Sequence, residues 1–249
     1  FTTARDIWSK AFGPEHPAMI VAFGNMAIME AETGEAERAI RAFDDGAALV
    51  RRVLGPRHPQ VGSFLNNGGF VLARVGRLEE AHAHFEEAVR HWRETLGEGS
   101  PKVAMALHNL ASVEGEQGEL TAARAHLEEA MSIRAKTLGP KSPSYGDDLA
   151  VLGDLQRLAG DRERATASYG RALELLSSAP AHVGRPRAAL GLALLELEGR
   201  QWAAASRHLD EAASLLATMP QEERLLARVG AAQARAEVPK APAAAQSLV

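Results

Sequence analysis

The chain has 249 residues, a net charge of −4, 46% apolar residues and no cysteine. The absence of cysteine excludes disulfides and thiolate metal sites, and the mildly acidic balance argues against nucleic acid as the main partner. No stretch approaches the roughly 18 apolar residues of a membrane helix, and the first residues, FTTARDIWSK, lack the apolar core of a signal peptide. We therefore predict a cytoplasmic protein with no membrane partner, rich in the helix formers Ala, Leu, Glu and Arg.

Three sequence marks recur along the chain at a constant step of 42 residues. A fixed period of this length is typical of architectures built from repeated helix pairs. A fifth unit follows after a shorter step of 40 residues, from Ala165 to Ala205. The marks are a residue pair ending in glycine (Phe12-Gly13, Leu54-Gly55, Leu96-Gly97, Leu138-Gly139), a single glycine (Gly34, Gly76, Gly118, Gly160) and an alanine (Ala39, Ala81, Ala123, Ala165).

Each unit predicts two helices. The first helix follows a link, in which glycine suits the end of the preceding helix, Ser100 or Ser142 can cap the next one, and proline fits its first turn. A turn around Gly34 and its equivalents then leads into the second helix. The links are GPEHP at 13–17, GPRHP at 55–59, GEGSP at 97–101 and GPKSP at 139–143.

Apolar residues at spacings of three and four give each predicted helix one core-facing stripe. Small residues such as Ala39 and Gly46 allow close approach between helices, and a large residue such as Phe43 fills the groove between them. Gly68 is unusual, because it stands where the other first helices carry a large residue. We expect close packing by a neighbour such as Phe64 or Phe70, and the alternative is a locally soft repeat that adapts to its ligand.

These marks resemble the tetratricopeptide repeat, and more narrowly its 42-residue kinesin-light-chain type, with an LG-x-x-HP link and an L-N-N-L-A start. The resemblance is carried by LGPRHPQVGSFLNNGGFVLARVGRLEEAHAHFEEAV (54–89) and LHNLASVEGEQGELTAARAHLEEA (107–130) and spans about residues 4 to 217. It implies an all-α fold, a right-handed superhelical α-solenoid of antiparallel helix pairs, and it indicates a bacterial protein. HEAT and armadillo repeats have overlapping periods, but the Gly turn followed five residues later by Ala favours the tetratricopeptide interpretation.

The register predicts the organisation of the whole chain. Residues 1–12 are expected to be the last turns of a preceding, truncated repeat, so further repeats or another domain are expected N-terminal to them in the native protein. Four repeats at 13–54, 55–96, 97–138 and 139–180 are followed by a divergent fifth repeat at 181–218. A capping helix at 219–237 and a disordered tail at 238–249 complete the prediction.

The resemblance implies that the first helices line a concave groove in which a peptide or a partner helix docks. Asn25, Asn67 and Asn109 occupy the family's binding position, where an amide can both donate to and accept from a peptide backbone. The alternative is that these amides link neighbouring helices or contact water. Asn66 and His108, which directly precede the last two of these asparagines, are added to the groove. Helical spacing extends the same face to Val21, Ile28, Glu32, Ser63, Phe70, Arg74, Met105, Ser112, Glu116, Asp147, Asp154 and Arg157.

The fourth repeat departs from this pattern. Val151 stands where Asn is expected, and Asp147, Asp148 and Asp154 make the predicted groove acidic. A basic ligand segment at this repeat is one hypothesis, and a solvated charged face is the alternative.

Enzyme signatures are absent from the sequence. It contains no HExxH, P-loop or GxSxG motif and no cysteine nucleophile, so we predict no catalytic residue and no cofactor. His82, His84 and His91 lie on one predicted second helix, and His82 and Glu86, four residues apart, could hold a metal. No third ligand at a suitable spacing is evident, so we predict no metal site and expect these histidines to face solvent.

We therefore predict a non-enzymatic protein-interaction module, a scaffold that binds a peptide or helix in its concave groove. The alternative is a ligand-sensing or autoinhibitory region of a larger bacterial signalling or regulatory protein with a nucleotide-switch, protease or transcription-factor effector upstream. The expected partner is a protein or peptide, or another domain of the same chain.

Overall fold

The computed structural model describes residues 9–11, 13–179, 182–219 and 222–237. The regular elements in these ranges are helices, with no strand among them, which confirms the all-α prediction. Of the predicted end segments, 238–249 lies outside the described residues, and 1–12 is described only at 9–11, which are helical. The main helices are α1 (Ala18–Glu32), α2 (Ala36–Val53), α3 (Gln60–Arg74), α4 (Leu78–Leu96), α5 (Pro101–Gln117), α6 (Leu120–Thr137), α7 (Pro143–Leu158), α8 (Arg162–Leu175), α9 (Gly184–Glu198), α10 (Trp202–Leu216) and α11 (Glu223–Glu237).

The helices fall into two compact units, one ending at Thr137 and one beginning at Leu138. In the first unit each helix from α1 to α5 packs against the next one along the chain. In the second unit α7 packs on α8, and α9 packs on both of them. α10 then packs on α9, and α11 packs on both α9 and α10. Consecutive pairing of this kind buries one face of every helix against its neighbours.

Left-handed glycines make the turns between helices possible. Gly118, for example, ends α5 with φ 86° and ψ 7°, and its N–H donates to the carbonyls of Glu114 and Gly115. A side chain is strained in this backbone region. At the corresponding turn of the divergent fifth repeat, Arg200 takes a φ of 57° and is the one non-glycine residue with positive φ among the described residues.

The two serine caps differ from one another. Ser100 caps α5 as expected, because its Oγ accepts from the N–H of Lys102 at 3.3 Å. The expectation for Ser142 is wrong: its Oγ donates to the carbonyl of Gly139 at 2.9 Å, so it closes the link rather than capping α7.

Large rings set against glycines fill the core. In the first unit a Cβ built at Gly46 would lie 2.1 Å from the Phe64 ring, and one built at Gly62 would lie 2.5 Å from Trp92. Gly68 is closely packed as expected, but by other residues, since Phe43 Cβ and His84 Cδ2 lie 3.3 and 3.4 Å from a Cβ built there. The prediction that Phe64 or Phe70 fills this space is therefore wrong.

The second unit repeats the arrangement around one ring. Tyr169 is fully buried, and Cβ atoms built at Gly153 and Gly191 would lie 2.5 and 2.2 Å from its ring. Its hydroxyl donates to Asp154 Oδ1 at 2.7 Å. Burial, together with the nearby Asp154 carboxylate, raises the pKa of Tyr169 well above its ordinary value, so the hydroxyl stays protonated.

Candidate functional site

Three first helices of the first unit, α1, α3 and α5, lie side by side. A Cβ built at Gly24 of α1 would contact the ring of Phe64, a residue of α3, at 3.7 Å. Asn109 of α5 donates through Nδ2 to Asn66 Oδ1 of α3 at 3.0 Å. Residues at equivalent positions on these helices therefore share one surface, which we call the first-helix face.

Apolar side chains are exposed along the first-helix face. Ile28 of α1 and Phe70 of α3 occupy equivalent positions one period apart, and Val21 of α1 and Met105 of α5 occupy equivalent positions two periods apart. The exposed fractions are 55% for Val21, 46% for Ile28, 41% for Phe70 and 37% for Met105. Each of the two positions carries an exposed apolar side chain on two of the three helices, with Ser63 and Ser112 at the remaining places, and the four side chains together make this face a candidate contact surface.

The asparagines divide into two roles. Asn25 and Asn67 are exposed between the apolar positions, as the groove prediction requires. Asn66 is only 5% exposed, and it joins α3 to α5 through Asn109 and donates to Asn67 Oδ1 at 3.4 Å. Asn66 therefore does not line the face. The amide nitrogen of Asn109 links two neighbouring helices, as the alternative interpretation expected.

Cationic side chains border the same face. The Arg74 guanidinium lies 6.0 Å from the centre of the Phe70 ring. The Lys102 ammonium donates to Ser63 Oγ at 3.3 Å and lies 5.4 Å from the Trp92 ring centre. The remaining predicted positions on α5 comprise two half-buried residues, His108 and Ser112, and an exposed one, Glu116.

In the second unit the carboxylates of α7 are already bonded to its neighbours. Asp147 contacts His182 Nδ1 at 2.7 Å and accepts from the N–H of Gly184 at 3.2 Å. Asp154 accepts from the Tyr169 hydroxyl and lies 3.7 Å from Arg187.

Two further predicted positions on α7 are Asp148, which is buried, and Arg157, which is half-buried. The expectation of an open acidic surface is wrong for Asp148. Asp147 and Asp154 hold α7 to α8, to α9 and to the segment just before α9.

The three histidines of α4 are half-buried and lie against polar groups of the protein rather than facing solvent. His84 contacts Asp44 Oδ1 at 3.0 Å through Nε2, and this bond raises its pKa above the ordinary histidine value. His91 donates through Nε2 to the carbonyl of His58 at 2.9 Å. The prediction that they face solvent is therefore wrong, and His84 and His91 tie α4 to preceding segments of the chain.

His82 belongs to a cluster that sequence analysis missed. Its Nε2 lies 3.5 Å from Glu114 Oε1, and its Nδ1 lies 3.7 Å from Glu86 Oε2. Glu114 is only 2% exposed, and His126 Nδ1 contacts both of its oxygens, at 2.9 and 3.0 Å, so that the carboxylate raises the pKa of His126. Ligand atoms of His82, Glu114 and Glu119 all lie within 4.8 Å of one another. The expectation that His82 has no further ligands nearby is therefore wrong.

Comparisons with known proteins give the family and the fold. A family model described as tetratricopeptide repeat matches residues 21–94, 61–136 and 102–178. A search among curated proteins found no significant match. None of the described helices has the length and apolar character needed to cross a membrane.

Several solved structures share the fold. BtubC (BKLC) from P. vanneervenii is 19% identical with a TM-score of 0.66, over 88% of this chain and 87% of that one. A putative kinesin light chain with nearly identical TPR-like repeats from Podosopora anserina is 20% identical with a TM-score of 0.60, over 82% and 98%. The Rap protein complexed with Competence and Sporulation Factor is 13% identical with a TM-score of 0.64, over 79% of this chain and 53% of that one. At these identities the likeness is one of fold.

Proposed function

Because the chain belongs to the tetratricopeptide repeat family, we propose that its first-helix face binds a peptide segment of a protein partner. The family match and the kinesin-light-chain-like structures confirm the resemblance inferred from the 42-residue period. Repeats of this family generally act as non-catalytic modules of protein interaction. A neighbour in fold, the Rap protein, was solved in a complex with Competence and Sporulation Factor, which supports a binding role for a fold of this kind.

The observation that carries the proposal is the register of exposed groups on α1, α3 and α5. Ile28 and Phe70 offer apolar contact area at equivalent positions, while Asn25 and Asn67 offer exposed amides between them. Fully burying a side chain of this size is worth about 1.5–3 kcal/mol, and an exposed amide can donate to and accept from a peptide backbone. We therefore propose an occupant with apolar side chains whose backbone bonds to the asparagines.

The second unit contributes less to this proposal. Its equivalent positions, Asp147 and Asp154, are carboxylates that already hold neighbouring residues. The groove residues that we propose are accordingly those of α1, α3 and α5. A regulatory region within a larger signalling protein stays a prediction, because it depends on an effector domain outside this sequence.

The test is selection of binding peptides from a random library on the purified chain, followed by fluorescence polarisation with the selected peptides. Phe70→Ala and the double variant Asn25→Ala/Asn67→Ala should each weaken binding by about tenfold or more, because they remove a central apolar contact and the exposed amides. Leu96→Ala is the matched control, since Leu96 is a similarly exposed apolar residue at the end of the second helix α4 rather than on a first helix, and it should bind as the unchanged chain does. Equal affinity of all variants would overturn the proposal.

A further inference from the structure

We propose that His82, Glu114 and Glu119 form a zinc-binding site that joins α4 to α5 and to the turn after α5. His82 comes from α4, Glu114 from α5, and Glu119 from the turn that leads into α6. The three side chains are brought together because the second helix of one predicted repeat packs on the first helix of the next. The site is separate from the first-helix face and does not depend on the proposed peptide binding.

The spacing of the donor atoms suits a tetrahedral ion. Ligands at about 2.0–2.2 Å from zinc lie about 3.3 Å from one another. His82 Nε2 and Glu114 Oε1 are 3.5 Å apart, which is close to that value. Glu119 is exposed, so a small side-chain rotation can bring its carboxylate from within 4.8 Å to the same distance.

Further side chains support the donors. Metal-binding histidines usually donate their second ring N–H to a carboxylate, and Glu86 lies 3.7 Å from His82 Nδ1 on the side away from Glu114. His126 contacts Glu114 and orients its carboxylate. Glu114 is only 2% exposed, and a buried carboxylate is costly unless it is paired, so a bound cation would stabilise it.

The same place in another repeat of the chain shows which residues are unusual. The Glu–His pair recurs 82 residues later as Glu196 and His208, whose Oε2 and Nδ1 lie 2.8 Å apart. At the positions equivalent to His82 and Glu119, however, the chain carries Thr166 and Gln201. The Glu–His pair is therefore explained by packing between the two helices of a repeat. His82 and Glu119 are not part of that packing pair, and they add two potential metal ligands beside Glu114.

The ligand set indicates the metal. One imidazole nitrogen with two carboxylates suits zinc, while magnesium and calcium prefer oxygen ligands only. Three protein ligands leave a fourth position for water. A bound ion would fix Glu119 and hold the turn after α5 against α4.

The experiment is titration of ZnCl₂ into the chelator-treated chain, followed by calorimetry and by competition with a chromophoric chelator. We expect one zinc ion per chain, and a loss of affinity of about tenfold or more in His82→Ala and in Glu119→Gln. His208→Ala is the control, because it removes a histidine of the equivalent Glu–His pair that lacks the extra ligands, and it should bind zinc unchanged. MgCl₂ should not compete.

Thermal unfolding separates loss of the site from loss of the fold. Zinc should raise the melting temperature of the unchanged chain and of His208→Ala, but not that of Glu119→Gln. Because Glu119 is exposed, this variant keeps the fold even if His82→Ala does not. Absence of zinc binding, or equal binding by the unchanged chain and Glu119→Gln, would overturn the proposal.

Discussion

Replacing Gly191 by alanine tests whether glycine is needed where α9 crosses the ring of Tyr169. A Cβ built at Gly191 lies 2.2 Å from Tyr169 Cζ, whereas ordinary contacts begin near 3.4 Å. The ring would have to retreat by more than about 1 Å in a closely packed interior. It cannot retreat toward α7, because a Cβ built at Gly153 would lie only 2.5 Å from Cε1 of the same ring.

Two opposing effects decide the magnitude. Overpacking of a filled core costs about 1–3 kcal/mol and sometimes more, and a ring confined by two helices belongs at the upper end of that range. Alanine is better than glycine in a helix interior by about 1 kcal/mol. The clash should win, so Gly191→Ala is expected to lower the free energy of unfolding by about 1–2 kcal/mol.

Urea unfolding followed by circular dichroism measures this difference. Gly170→Ala is the matched control, because Gly170 lies in the neighbouring helix α8 with no atom within 4 Å of a built Cβ, and it should stabilise the chain by about 0.5–1 kcal/mol. In a Tyr169→Leu background the cost of Gly191→Ala should shrink, since the ring is gone. A Gly191→Ala variant as stable as the unchanged chain would refute the reasoning.

Two further predictions concern the fifth turn and the response to pH. Arg200→Gly should stabilise the chain by about 0.5–1 kcal/mol in urea unfolding. A non-glycine residue in the left-handed backbone region costs about 1–2 kcal/mol, but glycine loses more backbone entropy on folding, which offsets part of the gain. A loss of stability would contradict this prediction. Asp44 raises the pKa of His84, so their bond stabilises the fold fully below the unfolded histidine pKa of about 6.5 and loses that effect as pH rises through the higher folded value. Asp44→Asn should therefore show a smaller fall in stability between about pH 5.5 and about pH 8.5 than the unchanged chain, and an equal fall in both proteins would contradict it.

The 42-residue period predicted the helices and turns well, because the glycines that define it are required by the backbone conformation of the turns. The glycines at 34, 76, 118 and 160 all have the left-handed φ that their turns need. The pattern of small and large residues likewise anticipated close packing at Gly68. The identity of the neighbour could not be predicted in the same way: Phe43 and His84, not Phe64 or Phe70, lie against Gly68, because that depends on how two helices are rotated.

Contacts between repeats were missed for a different reason. Helical spacing indicates Glu86, four residues away, as a partner of His82, but Glu114 lies 32 residues away on the next first helix. A second long spacing also recurs, since Arg51–Glu87 and Arg93–Glu129 are ion pairs at a separation of 36 residues, and the second pair lies one period after the first. Once the period of 42 is known, oppositely charged residues 32 or 36 positions apart can be recognised in the sequence as candidate contacts between successive repeats.

Equivalent positions need not have equivalent roles, and this limits what the register can say about binding. Ile28, Phe70 and Asp154 occupy one position of the repeat. The first two are exposed, whereas Asp154 accepts from a buried tyrosine whose ring fills the space left by two glycines. The tyrosine creates the need for a polar partner, because a buried hydroxyl without one is costly. At Phe70, by contrast, the second helix α4 carries Phe85 at the position equivalent to Tyr169, a ring with no polar group to satisfy, and the first-helix position stays exposed.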